Sequence, residues 1–96
     1  MKTVSTIPEF EAALPSAITR VGQLIQVYPG DPMLESIKRQ LEHVAIWTQD
    51  HHRPTDEQIA KLSFGVMASK VVQELDEECA HLLHELSYFL HNWPNP

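Results

Sequence analysis

Apolar residues recur at every third or fourth position from residue 7 to residue 28, which places them on one face of an α-helix. Thr6 and Glu9 have the spacing of a capping box, which marks where this helix starts. Pro15 lies inside the pattern and removes one backbone N–H, so we expect the helix to be kinked or split near Pro15. The apolar face consists of Ile7, Phe10, Leu14, Ile18, Val21, Ile25 and Tyr28.

The sequence YPGDP at residues 28–32 is the clearest helix stop in the chain. Gly30 tolerates a positive φ at the end of the first helix, and Asp31 followed by Pro32 suits the start of a second. We expect the second helix to end near Asp50. Its apolar face consists of Leu34, Ile37, Leu41, Val44 and Thr48.

Two further helices are indicated beyond residue 54. Thr55 and Gln58 have capping-box spacing, and Asp76 is suited to cap the last helix. Gly65 costs about 1 kcal/mol relative to alanine inside a helix, and a close crossing of another helix there would explain its presence. The third helix is expected to carry Ile59, Leu62, Val66 and Ser69 on one face, and the last helix Cys79, Leu82, Leu83, Leu86, Phe89, Leu90 and Trp93.

No segment alternates between apolar and polar residues in the manner of a strand, so the sequence predicts the all-α class. We expect a compact antiparallel bundle of about four helices, formed by a single domain over residues 1–96. Cys79 is the only cysteine, and no stretch approaches the roughly 20 apolar residues of a membrane span. A cytoplasmic protein with no membrane partner is therefore predicted.

The negative charge is concentrated at one end of the sequence. Residues 71–96 contain five acidic residues and no Lys or Arg, whereas residues 1–70 contain seven basic and eight acidic residues. A nucleic-acid-binding protein needs a basic surface to neutralise phosphates, so this charge distribution argues against DNA or RNA as a partner. The acidic end is either a solvated helix face or a surface that attracts a basic partner.

Catalytic and metal-binding patterns are weak. His81, His84 and Glu85 share one turn of the last helix, but zinc needs three or four converging ligands, and exposed histidines explain the same spacing without metal. The sequence has no nucleophile elbow and no Gly-rich phosphate loop, and Cys79 falls on an apolar face. We therefore predict a protein that is not an enzyme and that uses no metal or cofactor.

Several short motifs occur together in a characteristic order. They are YPG at residues 28–30, Leu34, Gln40-Leu41, and Gly65-x-x-Ala68-x-Lys70 with acidic residues soon after. From about Leu24 to Leu90 the chain resembles a small family of immunity proteins, which protect bacteria from type VI secretion toxins that act as NAD(P)⁺ glycohydrolases. The resemblance implies an all-helical cytoplasmic protein that binds the toxin domain of its cognate effector and blocks the dinucleotide site without catalysis or cofactor.

Charge then indicates where such a toxin would be contacted. A dinucleotide-binding cleft is expected to present basic groups, to which an acidic helix is attracted. The expected contact residues are Glu74, Asp76, Glu77, Glu78 and Glu85, with Trp47 as an aromatic anchor. The alternative is a helical adaptor or regulatory subunit that docks on another protein or forms a homodimer, with Trp47 and the last apolar face as its surface.

Overall fold

The computed structural model describes residues 4–94, in which four longer helices and one short helix form a bundle without strands. The predicted all-α class and the helical bundle are confirmed. Within this part of the chain no helix is both long and apolar enough to cross a membrane. The helices are α1 (Ile7–Val27), α2 (Pro32–Trp47), the short α3 (Asp56–Ala60), α4 (residues 64–75) and α5 (Glu77–His91), and a 3₁₀ turn occupies Gln49–His51.

Helix α1 begins as the sequence predicts but is not divided. The Thr6 hydroxyl accepts a hydrogen bond from the backbone N–H of Glu9 at 3.2 Å, which caps the first turn. The helix then runs without interruption through Pro15, so of the two expected outcomes, a kink or a split, the split does not occur. A proline removes only one backbone donor. Buried residues on both sides of it, including Leu14 and Ala17, keep one continuous face packed against the core.

The turn between α1 and α2 is built as predicted. Gly30 has a φ of 86°, and the Asp31 carboxylate accepts hydrogen bonds from the backbone N–H groups of Met33 at 2.9 Å and Leu34 at 3.4 Å. The five residues expected on the inner face of α2 are all buried. The helix ends at Trp47, and the 3₁₀ turn that follows contains Asp50.

The prediction for the third helix was wrong in its register. Helix α3 ends at Ala60, and the chain starts a new helix at Phe64. The side-chain oxygen of Gln40 in α2 accepts a hydrogen bond from the backbone N–H of Ser63 at 2.8 Å, which fixes this new start. The bulkier Phe64 is buried in place of Val66, which is exposed.

The core joins α1, α2, α4 and α5. Aromatic rings close it near the C-terminal end of α5: Phe10 stacks on Phe89 with ring centroids 5.1 Å apart, and Trp93 meets both rings edge-on. Helices α1 and α5 are antiparallel, since Phe10 near the start of α1 contacts the end of α5. The start of α5 consequently lies against the C-terminal half of α1.

Candidate protein-binding site

The junction of α4 and α5 is organised by Asp76. This residue has an extended backbone, with φ −159° and ψ 96°, and its carboxylate accepts a hydrogen bond from the backbone N–H of Cys79 at 3.1 Å. The predicted cap of the last helix is therefore confirmed. Glu77 and Glu78 occupy the first turn of α5, where the helix dipole favours negative charge.

Arg20 of α1 binds the same carboxylate. Its Nη2 lies 2.8 Å from Oδ1 and 2.6 Å from Oδ2 of Asp76, and its Nε donates to Oδ2 at 3.2 Å. Burial disfavours the charged form of Asp76, but the hydrogen bonds from Arg20 and Cys79 outweigh it and hold the pKa of this carboxyl below its usual range. The Asp76 hydrogen bond in turn raises the pKa of Arg20. The sequence did not identify Arg20 as a partner.

The five acidic residues expected to form a contact surface have different environments. Glu74, Glu77 and Glu78 are exposed around the α4–α5 junction and are called the acidic patch below. Asp76 lies between them in sequence, but its carboxylate is engaged by Arg20. Glu85 is partly buried two turns further along α5, where it lies 3.4 Å from Nε2 of His81. The structure thus brings three of the five together as an exposed group.

Trp47 lies apart from the acidic patch. Its ring stacks on His43 with centroids 5.8 Å apart, and the half-buried indole packs against the core. In the turn that follows, Nδ1 of His51 lies 2.8 Å from the Glu11 carboxylate of α1. Arg20 lies nine residues beyond Glu11, about 14 Å along the helix axis. Trp47 is therefore at a different level of the bundle from the α4–α5 junction.

The histidines of α5 do not converge. His81 is paired with Glu85 of its own helix, whereas Nε2 of His84 lies 2.8 Å from the hydroxyl of Ser69 in α4. Among residues 4–94 no three His, Cys, Asp or Glu side chains are grouped so that they could hold a metal ion.

Cys79 is packed as the apolar pattern predicts. Its side chain is buried in the core beside α1, and burial raises the pKa of the thiol to about 11. The thiolate is the reactive form of cysteine, so the local environment disfavours nucleophilic chemistry at neutral pH.

The motif residues of α2 and α4 hold the helices in place. Gln40 fixes the start of α4 through Ser63, and Ala68 is fully buried. At Gly65, helix α5 approaches so closely that an added Cβ would lie 2.6 Å from Oγ and 2.9 Å from Cβ of Ser87. The helix crossing predicted from Gly65 is confirmed.

Fold and surface together define a small all-α protein with a fixed acidic patch at one helix junction. A family model described as Tsi6 matches residues 9–92, so the chain belongs to the Tsi6 family of type VI secretion immunity proteins. Tsi6 is the immunity protein for Tse6, a toxin with NAD(P)⁺ glycohydrolase activity. Comparisons with curated proteins and with solved structures give no match.

Proposed function

We propose that this chain binds the NAD(P)⁺ glycohydrolase domain of its cognate type VI secretion toxin and inhibits it by covering the entrance to the dinucleotide site. It acts in the cytoplasm as one domain over residues 1–96, by binding alone and without a cofactor. Membership of the Tsi6 family supports the class of partner. The observation that carries the mode of binding is the acidic patch of Glu74, Glu77 and Glu78.

Charge makes this patch suited to a dinucleotide-binding enzyme. The segment from residue 71 to residue 96 contains no Lys or Arg, and Arg20 is already engaged by Asp76. The glycohydrolase must bind a substrate that carries phosphates, so its cleft is expected to be basic. Carboxylates at the patch present the same sign of charge as those phosphates, which favours rapid and correctly oriented association.

Rigidity of the junction adds to its suitability. Asp76 caps α5 and is tied to α1, so the first turn that carries Glu77 and Glu78 is held on both sides. A surface that is already ordered loses less conformational entropy when it binds. Two of the three carboxylates are thus presented by a turn that is fixed before the toxin arrives.

Co-expression tests this function. We expect a toxin gene directly beside the gene for this chain. That toxin should be expressed in bacteria with and without the chain, and survival and cellular NAD⁺ should be measured. We expect the toxin alone to deplete NAD⁺ and to kill, and the chain to restore both readouts. Equal NAD⁺ loss in cells that contain the folded chain would contradict the proposal.

A further inference from the structure

A groove of about 480 Å³ runs between α4 and α5, beside the acidic patch. It was not indicated by the sequence, because its two walls come from residues that lie about 20 positions apart. Its floor lies at the close helix crossing between Gly65 and Ser87. The groove is therefore a consequence of how tightly α5 packs on the start of α4.

The wall on the α4 side is irregular. Residues Ala68–Val72 form a π-helical turn between the α-helical pieces Phe64–Met67 and Gln73–Leu75. Single π-turns inside α-helices occur often at functional sites. Ser69 lies in this turn and is joined to His84 of the opposite wall by a contact of 2.8 Å between its hydroxyl and Nε2. This contact ties the two walls together across the groove.

The rim of the groove is apolar and exposed. Val66 of α4 is 60% exposed and Tyr88 of α5 is 69% exposed, although both line the same groove. Tyrosine is among the residues enriched at the energetic centres of protein interfaces. Neither side chain contributes to the buried core, so the folded state alone gives no reason for their apolar character.

The charge of the groove differs from that of the protein as a whole. In the described part of the chain, no side chain that lines the groove is acidic, and Lys70, His84 and His91 supply nitrogen atoms to it. The formal net charge of the chain is −6. Glu74 of the acidic patch lies one helical turn beyond Lys70. Two adjacent surfaces of opposite character therefore share the α4–α5 face.

We propose that this groove is a second contact site for the toxin domain and takes an apolar toxin side chain flanked by a carboxylate. Val66 and Tyr88 hold the apolar part, and Lys70 attracts the carboxylate. The inference rests on the proposed function. A basic toxin surface would then face the acidic patch, and an acidic toxin surface would face the groove. The toxin can bind in only one orientation, because the reversed orientation juxtaposes like charges.

The test measures the dissociation constant of the chain with the purified toxin domain encoded by the adjacent gene. Tyr88→Ala and Val66→Asp should each weaken binding by about tenfold or more. The matched controls are Tyr28→Ala and Val27→Asp, which alter residues that are 42% and 67% exposed at the α1–α2 turn. The controls should stay within about twofold of the unmodified chain.

A second pair of variants tests whether Lys70 attracts a toxin carboxylate. Lys70→Glu should weaken binding, whereas the same change at the exposed Lys61, near the end of α3, should have little effect. Thermal melts of all six variants should show that they fold. Equal effects of the two lysine changes would overturn the role of Lys70.

The outcomes separate this inference from the proposed function. If the unmodified chain does not bind the toxin domain, both fail. If it binds and the groove variants match their controls, the groove proposal is overturned and the proposed function stands. The solution mass should also be measured. If Tyr88→Ala dissociates a dimer without changing toxin affinity, the groove holds a second copy of the chain and the proposal is again overturned.

Discussion

Arg20 and Asp76 lie 56 residues apart in sequence and form a two-pronged ion pair, with Nη2 2.8 Å from Oδ1 and 2.6 Å from Oδ2. The same Asp76 carboxylate caps α5 through the backbone N–H of Cys79. A single carboxylate thus caps the start of α5 and links the α4–α5 junction to α1. Asp76 therefore orders the junction that carries the acidic patch, while its own charge is neutralised by Arg20.

The first prediction concerns this ion pair. Arg20→Ala should lower the free energy of unfolding by about 1–2 kcal/mol, since it removes charge-assisted hydrogen bonds from a partly buried carboxylate. Asp76→Asn keeps a capping side chain, whereas Asp76→Ala also loses the cap and should cost about 1 kcal/mol more. Urea unfolding of the three variants measures these differences. Equal stability of Asp76→Asn and Asp76→Ala would show that the cap contributes nothing.

The second prediction concerns pH. The pKa of Asp76 is lowered in the folded protein, so the ionised carboxylate stabilises the fold above the unfolded pKa of about 3.9. That contribution is lost as the pH falls through the folded pKa. The stability difference between the unmodified chain and Asp76→Asn should therefore shrink below about pH 4, as measured by urea unfolding. A difference that is constant from about pH 6 downward would contradict this account.

The third prediction concerns the close crossing at Gly65. Gly65→Ala should destabilise the protein by about 1–2 kcal/mol, because the clash with Ser87 exceeds the gain in helix propensity. Ser87→Gly removes both clashing atoms, so the double variant should be more stable than the sum of the single effects predicts. Ser87→Ala retains the Cβ at 2.9 Å and should not rescue Gly65→Ala. Additive effects within about 0.5 kcal/mol would refute the steric explanation.

Local signals account for the parts of the fold that the sequence predicted. The caps at Asp31, Thr55 and Asp76 each depend on residues within three positions, and the structure contains all three. The register of α4 depends instead on a bond between Gln40 and Ser63, which are 23 residues apart. Contacts between distant residues of this kind leave no periodic trace in the sequence.

The candidate site shows the same division. The acidic patch was predicted because its members are close in sequence and share a charge. The engagement of Asp76 by Arg20 was missed because α1 and α5 meet only after folding. The groove was not predicted, because it lies between α4 and α5, whose lining residues come together only after folding.

The fourth prediction concerns the acidic patch itself. Reversing Glu77 and Glu78 together to Lys should slow association with the toxin domain by about tenfold or more and weaken its dependence on ionic strength. Surface plasmon resonance at several salt concentrations measures both effects. The mechanism of electrostatic attraction would be wrong if the association rate of the unmodified chain did not change with salt.

A matched control is available in α3. Asp56 and Glu57 also occupy the first turn of a helix. In each pair one carboxylate lies near an arginine: Asp56 is 2.8 Å from Arg53, and Glu78 is 3.8 Å from Arg20. Reversing this pair to Lys makes the same change in net charge and in the helix dipole interaction. We expect the control to change stability similarly and to leave most of the association rate intact. Equal loss of binding would mean that net charge, and not the acidic patch, governs association.

The fifth prediction tests the central claim directly: purified toxin domain from the adjacent gene is assayed for NAD⁺ hydrolysis while this chain is titrated in. The account predicts that hydrolysis falls to background near equimolar chain, that nicotinamide dinucleotide competes with the chain for the toxin, and that the chain alone consumes no NAD⁺. Undiminished hydrolysis in the presence of excess bound chain would contradict inhibition by occlusion.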